Sequence, residues 1–118
     1  MKKTLQKFPI TVEANKTVVL TEALKQDYQK TTGLFLTPRL STDFSSLLIT
    51  FKVEGIEILP LETDATIVAF TGNYPLKDAI YDIRKENIPA RSSAMEFTVN
   101  NLSDNKQQFT LYVVLEND

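Results

Sequence analysis

The feature that most constrains the fold is a pair of alternating runs of apolar and polar residues around a polar tip in the stretch MEFTVNNLSDNKQQFTLYVVLE, Met95 to Glu116. Side chains of a β-strand point to opposite faces in turn, whereas an α-helix repeats about every 3.6 residues. The tip, NNLSDNKQQ, is rich in Asn, Ser and Asp, which favour turns. The stretch therefore predicts a β-hairpin with one apolar face, formed by Met95, Phe97, Val99, Phe109, Leu111, Val113 and Leu115.

Other segments also have strand patterns. Leu47–Val53 alternates in the same way and is followed by Gly55, after which IEILP resumes and is expected to stop at Pro60. Near the start, FPITV alternates around Pro9, and proline suits an edge strand because it cannot donate a ladder hydrogen bond. The continuous apolar run TIVAF, residues 66–70, predicts a strand covered on both faces.

Two segments favour helix by composition. TEALKQD, residues 21–27, predicts one helical turn with Thr21 as its N-cap. PLKDAIYDIRK, residues 75–85, fits either a helix that starts at Pro75 or a strand within residues 79–83. Of these two alternatives we favour the strand. Neither outcome changes the fold class, because short strands dominate the rest of the chain.

The patterns predict an all-β fold with about seven to eight antiparallel strands. Short strands with frequent turn residues in 118 residues are typical of a jelly roll or β-sandwich. No internal repeat or Pro/Ser-rich linker divides the chain, so we expect a single domain over residues 1–118. With 42% hydrophobic and 24% charged residues, the composition is that of an ordinary globular domain.

The chain contains neither Cys nor His. It therefore lacks the usual general base near neutral pH, the commonest zinc ligand and the thiolate nucleophile. Two carboxylate pairs, Glu62 with Asp64 and Asp78 with Asp82, are spaced to share a strand face, but acidic residues are mostly solvated surface groups. We predict that the protein is not an enzyme and has no catalytic residue and no cofactor.

The tip of the predicted hairpin is the best source of metal ligands. Its oxygen atoms belong to Asn100, Asn101, Ser103, Asp104 and Asn105, which carry only one formal negative charge and lack EF-hand spacing. The same residue types are expected in a turn, where they bind the backbone. We therefore predict no metal site.

Charge and hydropathy argue against nucleic-acid and membrane partners. The 13 basic and 15 acidic residues are scattered, and the one basic cluster, Lys2, Lys3 and Lys7, is interpreted as a solvated chain end. No run approaches the roughly 18 apolar residues of a membrane span. The opening MKKTLQKFPITV has no continuous apolar segment, so we expect a soluble mature protein without a signal peptide.

Tyr112 and Val114 lie on the face of the last predicted strand that points away from the core. Leu48 lies on the corresponding outward face of the strand Leu47–Val53. One alternative is that they are ordinary strand residues with single exposed apolar groups. The other is that a second subunit covers them, which makes Leu48, Tyr112 and Val114 candidate interface residues. In the turn TGNYP, Tyr74 is a candidate ligand-binding residue, for example for a glycan, or it covers the end of the core.

The stretch ENIPARSSAMEFTVNNLSDNKQQFTLYVVLE, Glu86 to Glu116, resembles the closing strands of small jelly-roll and sandwich proteins of bacteriophage virions. An Ile-Pro turn and small polar residues precede the final strands, over about a quarter of the chain. The resemblance implies a structural subunit, such as a penton, decoration or spike-base protein, made in a bacterial cytoplasm. It would form homo-oligomers and contact other structural proteins of the virion. The alternative is a non-catalytic carbohydrate or cell-surface binding module.

Overall fold

The computed structural model describes residues 2–39, 42–70, 80–86 and 88–117. This part of the chain contains nine strands and three short 3-10 turns, at Phe44–Ser46, Ala65–Ile67 and Arg84–Glu86, with no α-helix. The all-β prediction is confirmed. The strands are β1 Lys2–Val12, β2 Thr17–Ala23, β3 Lys30–Pro38, β4 Leu47–Val53, β5 Ile56–Asp64, β6 Tyr81–Asp82, β7 Ile88–Pro89, β8 Ala94–Asn101 and β9 Gln107–Asn117.

The strands form two antiparallel sheets. The first has the order β1-β9-β3-β6, with β7 also paired to β3, and the second has the order β2-β8-β4-β5. The paired strands are nested along the chain: β1 with β9, β2 with β8, β3 with β6 and β7, and β4 with β5. This winding is that of a jelly roll. The predicted jelly roll or β-sandwich is confirmed. The described residues form nine strands instead of the predicted seven to eight, and two of the nine, β6 and β7, have only two residues each.

The predicted hairpin is correct in its strands and its polar turn but wrong in its pairing. β8 pairs with β2 and β4 in one sheet, and β9 pairs with β1 and β3 in the other. The turn therefore carries the chain across the sandwich. Seven inward-facing side chains of these two strands meet in the core, each 0% exposed: Met95, Phe97, Val99, Phe109, Leu111, Val113 and Leu115.

Aromatic rings join the two sheets at the centre of the core. Phe97 of β8 lies edge-on to Phe109 of β9, with ring centroids 6.4 Å apart and an interplanar angle of 72°. Phe51 of β4 and Phe44 extend this contact on either side, at 6.4 Å from Phe97 and 5.9 Å from Phe109. Edge-to-face aromatic pairs add stabilisation beyond that of the buried area.

The helical turn predicted for residues 21–27 is wrong. Thr21 and Glu22 belong to β2 and pair with Glu96 and Met95 of β8. TEALK has good helix formers, but helix propensity is worth only a few tenths of a kcal/mol per residue, roughly, and pairing with a neighbouring strand overrides it.

The strand predicted for TIVAF is also wrong. Ala65–Ile67 forms a 3-10 turn that begins at Asp64, whose carboxylate accepts hydrogen bonds from the Thr66 N–H at 3.0 Å and the Thr66 hydroxyl at 2.8 Å. An aspartate that binds the backbone two residues ahead stops a strand and starts a turn. Ile67 is accordingly 58% exposed instead of covered.

Three further predictions concern strand ends. β5 does not stop at Pro60 but continues to Asp64. β1, which contains Pro9, lies at a sheet edge as predicted. For residues 75–85, the strand alternative is confirmed at Tyr81–Asp82, which pair with β3. Residues 75–79 lie outside the described residues.

The shared aromatic core gives the first testable prediction. Phe97→Ala removes the ring that contacts both sheets and leaves a cavity at their centre, so we expect the free energy of unfolding to fall by about 3–5 kcal/mol. Leu102→Ala is the control, because Leu102 is 56% exposed and its truncation is expected to change the stability by less than about 0.5 kcal/mol. Urea denaturation measures both. Equal losses in the two variants would contradict this description of the core.

Candidate functional site

Two of the candidate interface residues, Tyr112 and Val114, lie on the outer face of the first sheet beside Phe35 of β3. The Tyr112 ring stacks on Phe35 with centroids 4.9 Å apart and an interplanar angle of 11°. The Phe70 and Phe35 rings form a T-shaped pair, with centroids 6.3 Å apart and an interplanar angle of 87°. The backbone around Phe70 is tied to β3, since its N–H donates to the Leu36 carbonyl at 2.7 Å. The protein's own chain therefore covers part of this face.

The same covering reaches Val114, which is only 1% exposed in the single chain. Ile80 and Val114 both lie close to Gly33 of β3: a Cβ added to Gly33 would collide with Cγ2 of Ile80 and would lie 3.5 Å from Cγ2 of Val114. The expectation that another subunit covers Val114 is therefore wrong, because residues of its own chain already bury it.

Leu48 lies on the other side of the molecule. It is half-buried on β4, in register with Asn100 of β8 and Asp64 of β5, and thus belongs to the second sheet. Leu48 and Tyr112 therefore do not form one apolar patch. An interface role for these two residues stays a prediction, each on a separate outer face.

The outer face of the first sheet also contains a small cavity of about 160 Å³, lined by Lys3, Thr32, Ile80, Asp82, Arg84 and Val114. The Arg84 guanidinium donates to Asp82 at 3.1 Å and to Glu116 at 2.8 Å. The Glu116 side chain is only 6% exposed, so this ion pair satisfies a buried charge. Because Arg84 forms ion pairs with two carboxylates, its positive charge is compensated within the protein.

The acidic pairs noted in the sequence do not form a general acid–base site among the described residues. The pKa of the Asp64 carboxyl is lowered by hydrogen bonds from the Thr66 backbone N–H and hydroxyl. Such a group is an ionised turn cap near neutral pH instead of an acid that donates protons. Asp82 pairs with Arg84, and Asp78 lies outside the described residues.

A polar cleft of about 420 Å³ lies at one end of the sandwich, lined by Arg39, Thr42, Asp43, Ser103, Asn105, Lys106, Gln107 and Gln108. Several of its polar groups already bind one another. The Gln107 side chain accepts from the Asp43 N–H at 3.0 Å and donates to the Ser103 hydroxyl at 3.1 Å. The Thr42 hydroxyl donates to the Gln108 carbonyl. Among the residues that the structure describes, no aromatic side chain lines the cleft, and the candidate ligand residue Tyr74 lies outside that part of the chain.

Asn101 organises the turn beside this cleft. Its side chain is fully buried and donates to the carbonyls of Val12 at 3.3 Å, Glu13 at 3.2 Å and Asn105 at 2.8 Å. Its oxygen accepts from the Ser103 N–H at 2.9 Å and hydroxyl at 2.7 Å. The side-chain oxygen of Asn101, one of the oxygen atoms considered above as metal ligands, therefore binds groups of the protein itself.

Three of the four sheet edges carry features that prevent pairing with another chain. β1 contains Pro9 and the charges of Lys2, Lys3 and Lys7, and β5 contains Pro60 and two irregularities in its register with β4. At the remaining edge of the first sheet, β6 and β7 have only two residues each. Proline, lysine, bulges and short strands are the usual protection of an exposed edge.

The fourth edge, formed by β2, lacks this protection. Its sequence TVVLTEA contains no proline, lysine or glycine, and its register with β8 is continuous from Thr17 to Ala23. No other strand in residues 2–39, 42–70, 80–86 and 88–117 pairs with its open side. Val19, at its centre, is 55% exposed. The open edge of β2 is therefore the candidate functional site.

The sequence patterns did not predict this edge. KTVVL, residues 16–20, is a short apolar run, and the residues that follow it were predicted to form a helical turn. The sequence does contain one indication of this site: Val18, Val19 and Leu20 place apolar side chains on both faces of the strand. Such a strand either has both faces covered or exposes an apolar residue on one of them. Which side of the strand is open depends on its partner, β8, and is not encoded locally.

No family model, curated protein or solved structure matches this chain. Among the described residues, no group of three acidic side chains is placed to hold a metal ion. The same residues contain no helix long and apolar enough to cross a bilayer. The predicted lack of a cofactor and of catalysis stays a prediction, and what the molecule does must be inferred from its own geometry.

The Asn101 network gives the second prediction. Asn101→Ala removes the five hydrogen bonds that its buried side chain makes to Val12, Glu13, Ser103 and Asn105, so we expect the free energy of unfolding to fall by about 1–3 kcal/mol. The neighbouring Asn100→Ala is the control. Asn100 is half-buried and makes one exposed side-chain bond, with Thr17 at 3.3 Å. Thermal unfolding of the two variants provides the comparison, and a loss in Asn100→Ala as large as in Asn101→Ala would contradict the assigned role.

Proposed function

We propose that this protein is a non-catalytic structural subunit of a bacteriophage virion and that it assembles through protein–protein contacts at the open edge of β2. The observation that carries the proposal is the contrast between the edges. β1, β5 and the β6–β7 edge are protected against strand addition, whereas β2 is regular, uncharged along most of its length and apolar at its centre.

An open edge has a direct physical consequence. Its unpaired backbone N–H and C=O groups form a template on which another extended segment can add a strand. A protein that leaves such an edge free is prone to aggregate, so an edge left regular while the others are blocked is best explained by a partner. Val19 adds apolar area to the contact, since it is 55% exposed without one.

The jelly-roll winding is compatible with this role. Jelly rolls occur in viral capsid proteins and in lectins, but a fold alone does not determine a function. The assignment to a virion, as a penton, decoration or spike-base subunit made in a bacterial cytoplasm, is supported by the resemblance of Glu86 to Glu116 to closing strands of such proteins. The assembly role is supported independently by the edge of β2.

The alternative function is a non-catalytic carbohydrate or cell-surface binding module. The polar cleft beside Gln107 favours it, since hydroxyl and amide groups there suit a sugar. Against it, none of the described residues that line the cleft is aromatic, and the Gln107 amide and the Ser103 hydroxyl are already hydrogen-bonded within the protein. A glycan array with the purified protein separates the two functions. Binding that Tyr74→Ala abolishes would favour the module.

Blocking the edge tests the assembly role. Val19→Pro removes an N–H that points to the open side of β2, so we expect a folded protein that particles no longer incorporate. Val19→Thr is the matched control, because it keeps both the N–H and the β-branched shape and should be incorporated. Mass spectrometry of particles purified from the phage that encodes the chain measures incorporation, and circular dichroism verifies folding. Absence of the wild-type chain from the particles, or normal incorporation of a folded Val19→Pro variant, would contradict the proposal.

A further inference from the structure

We infer that the partner at the open edge is β2 of a second copy, paired antiparallel about a two-fold axis that passes through Val19. The inference rests on the proposed function, because it names the partner of the same edge. It is carried by two independent features: the direction of the backbone groups along β2 and the order of its side chains.

The backbone direction follows from hydrogen bonds at the two ends of the strand. The Lys16 carbonyl accepts from the Asn101 N–H, and the Leu24 N–H donates to the Ser93 carbonyl, both at 2.9 Å. Lys16 and Leu24 thus direct these groups toward β8. In an antiparallel ladder, residues that bond the same neighbour alternate with residues that point the other way. The even-numbered residues of β2 therefore face β8, and the odd-numbered Thr17, Val19 and Thr21 direct their N–H and C=O groups to the open side.

A two-fold axis at Val19 brings these outward-directed residues together. Val19 then lies opposite Val19 of the second copy, and Thr17 lies opposite Thr21. Each of the three residues donates and accepts one backbone hydrogen bond across the seam, so no outward N–H or C=O between Thr17 and Thr21 stays unpaired. The second sheet becomes continuous through both copies.

The side chains are complementary in the same register. On the face toward the core, Val18 lies opposite Leu20 of the second copy, and both are half-buried and already packed against the core. At the two ends of the seam, the Lys16 ammonium lies opposite the Glu22 carboxylate. Directly opposed apolar pairs and opposite charges stabilise an antiparallel pair. The contact is isologous, which is the arrangement of most homodimers.

Other registers lose this match. A shift of one position sets outward-directed residues opposite residues that face β8, so the ladder cannot form. A shift of two positions toward the end of the strand sets Val18 opposite Glu22 and Lys16 opposite Leu24. It also needs the Ala23 carbonyl, which already accepts from the Gln6 side chain at 3.2 Å. The charge pairs and the apolar pairs coincide only with the axis at Val19.

Charge reversal tests both the partner and the register by sedimentation velocity, from micromolar to submillimolar concentration. Wild-type protein is expected to show a monomer–dimer equilibrium. Lys16→Glu sets two carboxylates opposite each other at each end of the seam, and Glu22→Lys sets two ammonium groups there. Each variant should raise the dimer dissociation constant by roughly tenfold or more. Lys106→Glu is the matched control, because it makes the same charge change at an exposed site outside β2 and should leave the dimer unchanged.

Mixing the two weakened variants gives the sharpest readout. In an equimolar mixture, the carboxylate introduced by Lys16→Glu faces the Glu22 carboxylate when two copies of that variant pair. It faces the ammonium introduced by Glu22→Lys when the two variants pair with each other. Only this mixed dimer has opposite charges at both ends of the seam. We therefore expect the mixture to dimerise as tightly as wild type. A merely structural effect of either substitution would not be rescued by mixing.

Three results would overturn the inference: wild type that stays monomeric at every concentration, single variants that dimerise like wild type, or a mixture that stays as weak as its components. Their meaning for the proposed function is separate. If wild type is monomeric but Val19→Pro still prevents incorporation into particles, the edge binds a strand of another protein and only the inference is wrong. If the dimer behaves as expected but Val19→Pro is incorporated normally, only the proposed function is wrong.

Discussion

The contact between the apolar faces of β8 and β9 is the interaction on which the rest of the structure depends. Each strand is central in its sheet, and their inward side chains, among them Phe97 and Phe109, meet in the middle of the sandwich. A shift of either strand by one residue would turn its apolar face to solvent, so burial fixes the register of both. The flanking strands inherit that register, and β2 obtains its own from β8. Core packing thus decides which residues of β2 direct their backbone outward.

The sandwich leaves sheet edges exposed, and the chain treats them differently. Lys3, Lys7 and Pro9 protect β1, and Pro60 with an irregular register protects β5. β2 has no such feature, and its exposed apolar residue lies at its centre. Lysine, proline, irregular register and short strands are the usual means of protecting such an edge. The unprotected edge therefore has the character of a contact surface, and assembly through it would extend the sheet that the core already defines.

Local patterns predicted the strands best and the surfaces least. The alternation in β4, β8 and β9 was sufficient, because each strand buries one face against the core and period two is visible in a single segment. Pairing partners were not predictable: the turn at Asn101 carries the chain to the opposite sheet through long-range bonds to Val12 and Glu13. Thr21 was assigned to a helix because propensity is a weak local preference that pairing with β8 overrides.

The candidate site was mispredicted for the same reason. Val114 is apolar on the reverse face of its strand, and only the tertiary structure reveals that Ile80, distant in sequence, packs near it. Conversely, the sequence of β2 does not indicate that it lies at a sheet edge, because a strand is an edge strand only when no other strand pairs with one of its sides. The Asp64 cap of the turn at Ala65–Ile67 was the one error that local chemistry could have prevented, because an aspartate two residues before a threonine N–H is a recognisable turn signal.

Residue-resolved amide hydrogen exchange, measured on dilute and on concentrated protein, tests the central claim most directly. The claim is that the N–H groups of Thr17, Val19 and Thr21 point to an open edge that a second copy closes. We expect the Val18 and Leu20 amides to be protected at both concentrations by their bonds to β8. The amides of Thr17, Val19 and Thr21 should exchange rapidly in dilute protein and become protected in concentrated protein. Protection of these three amides that is independent of concentration, whether high or low, would contradict the account.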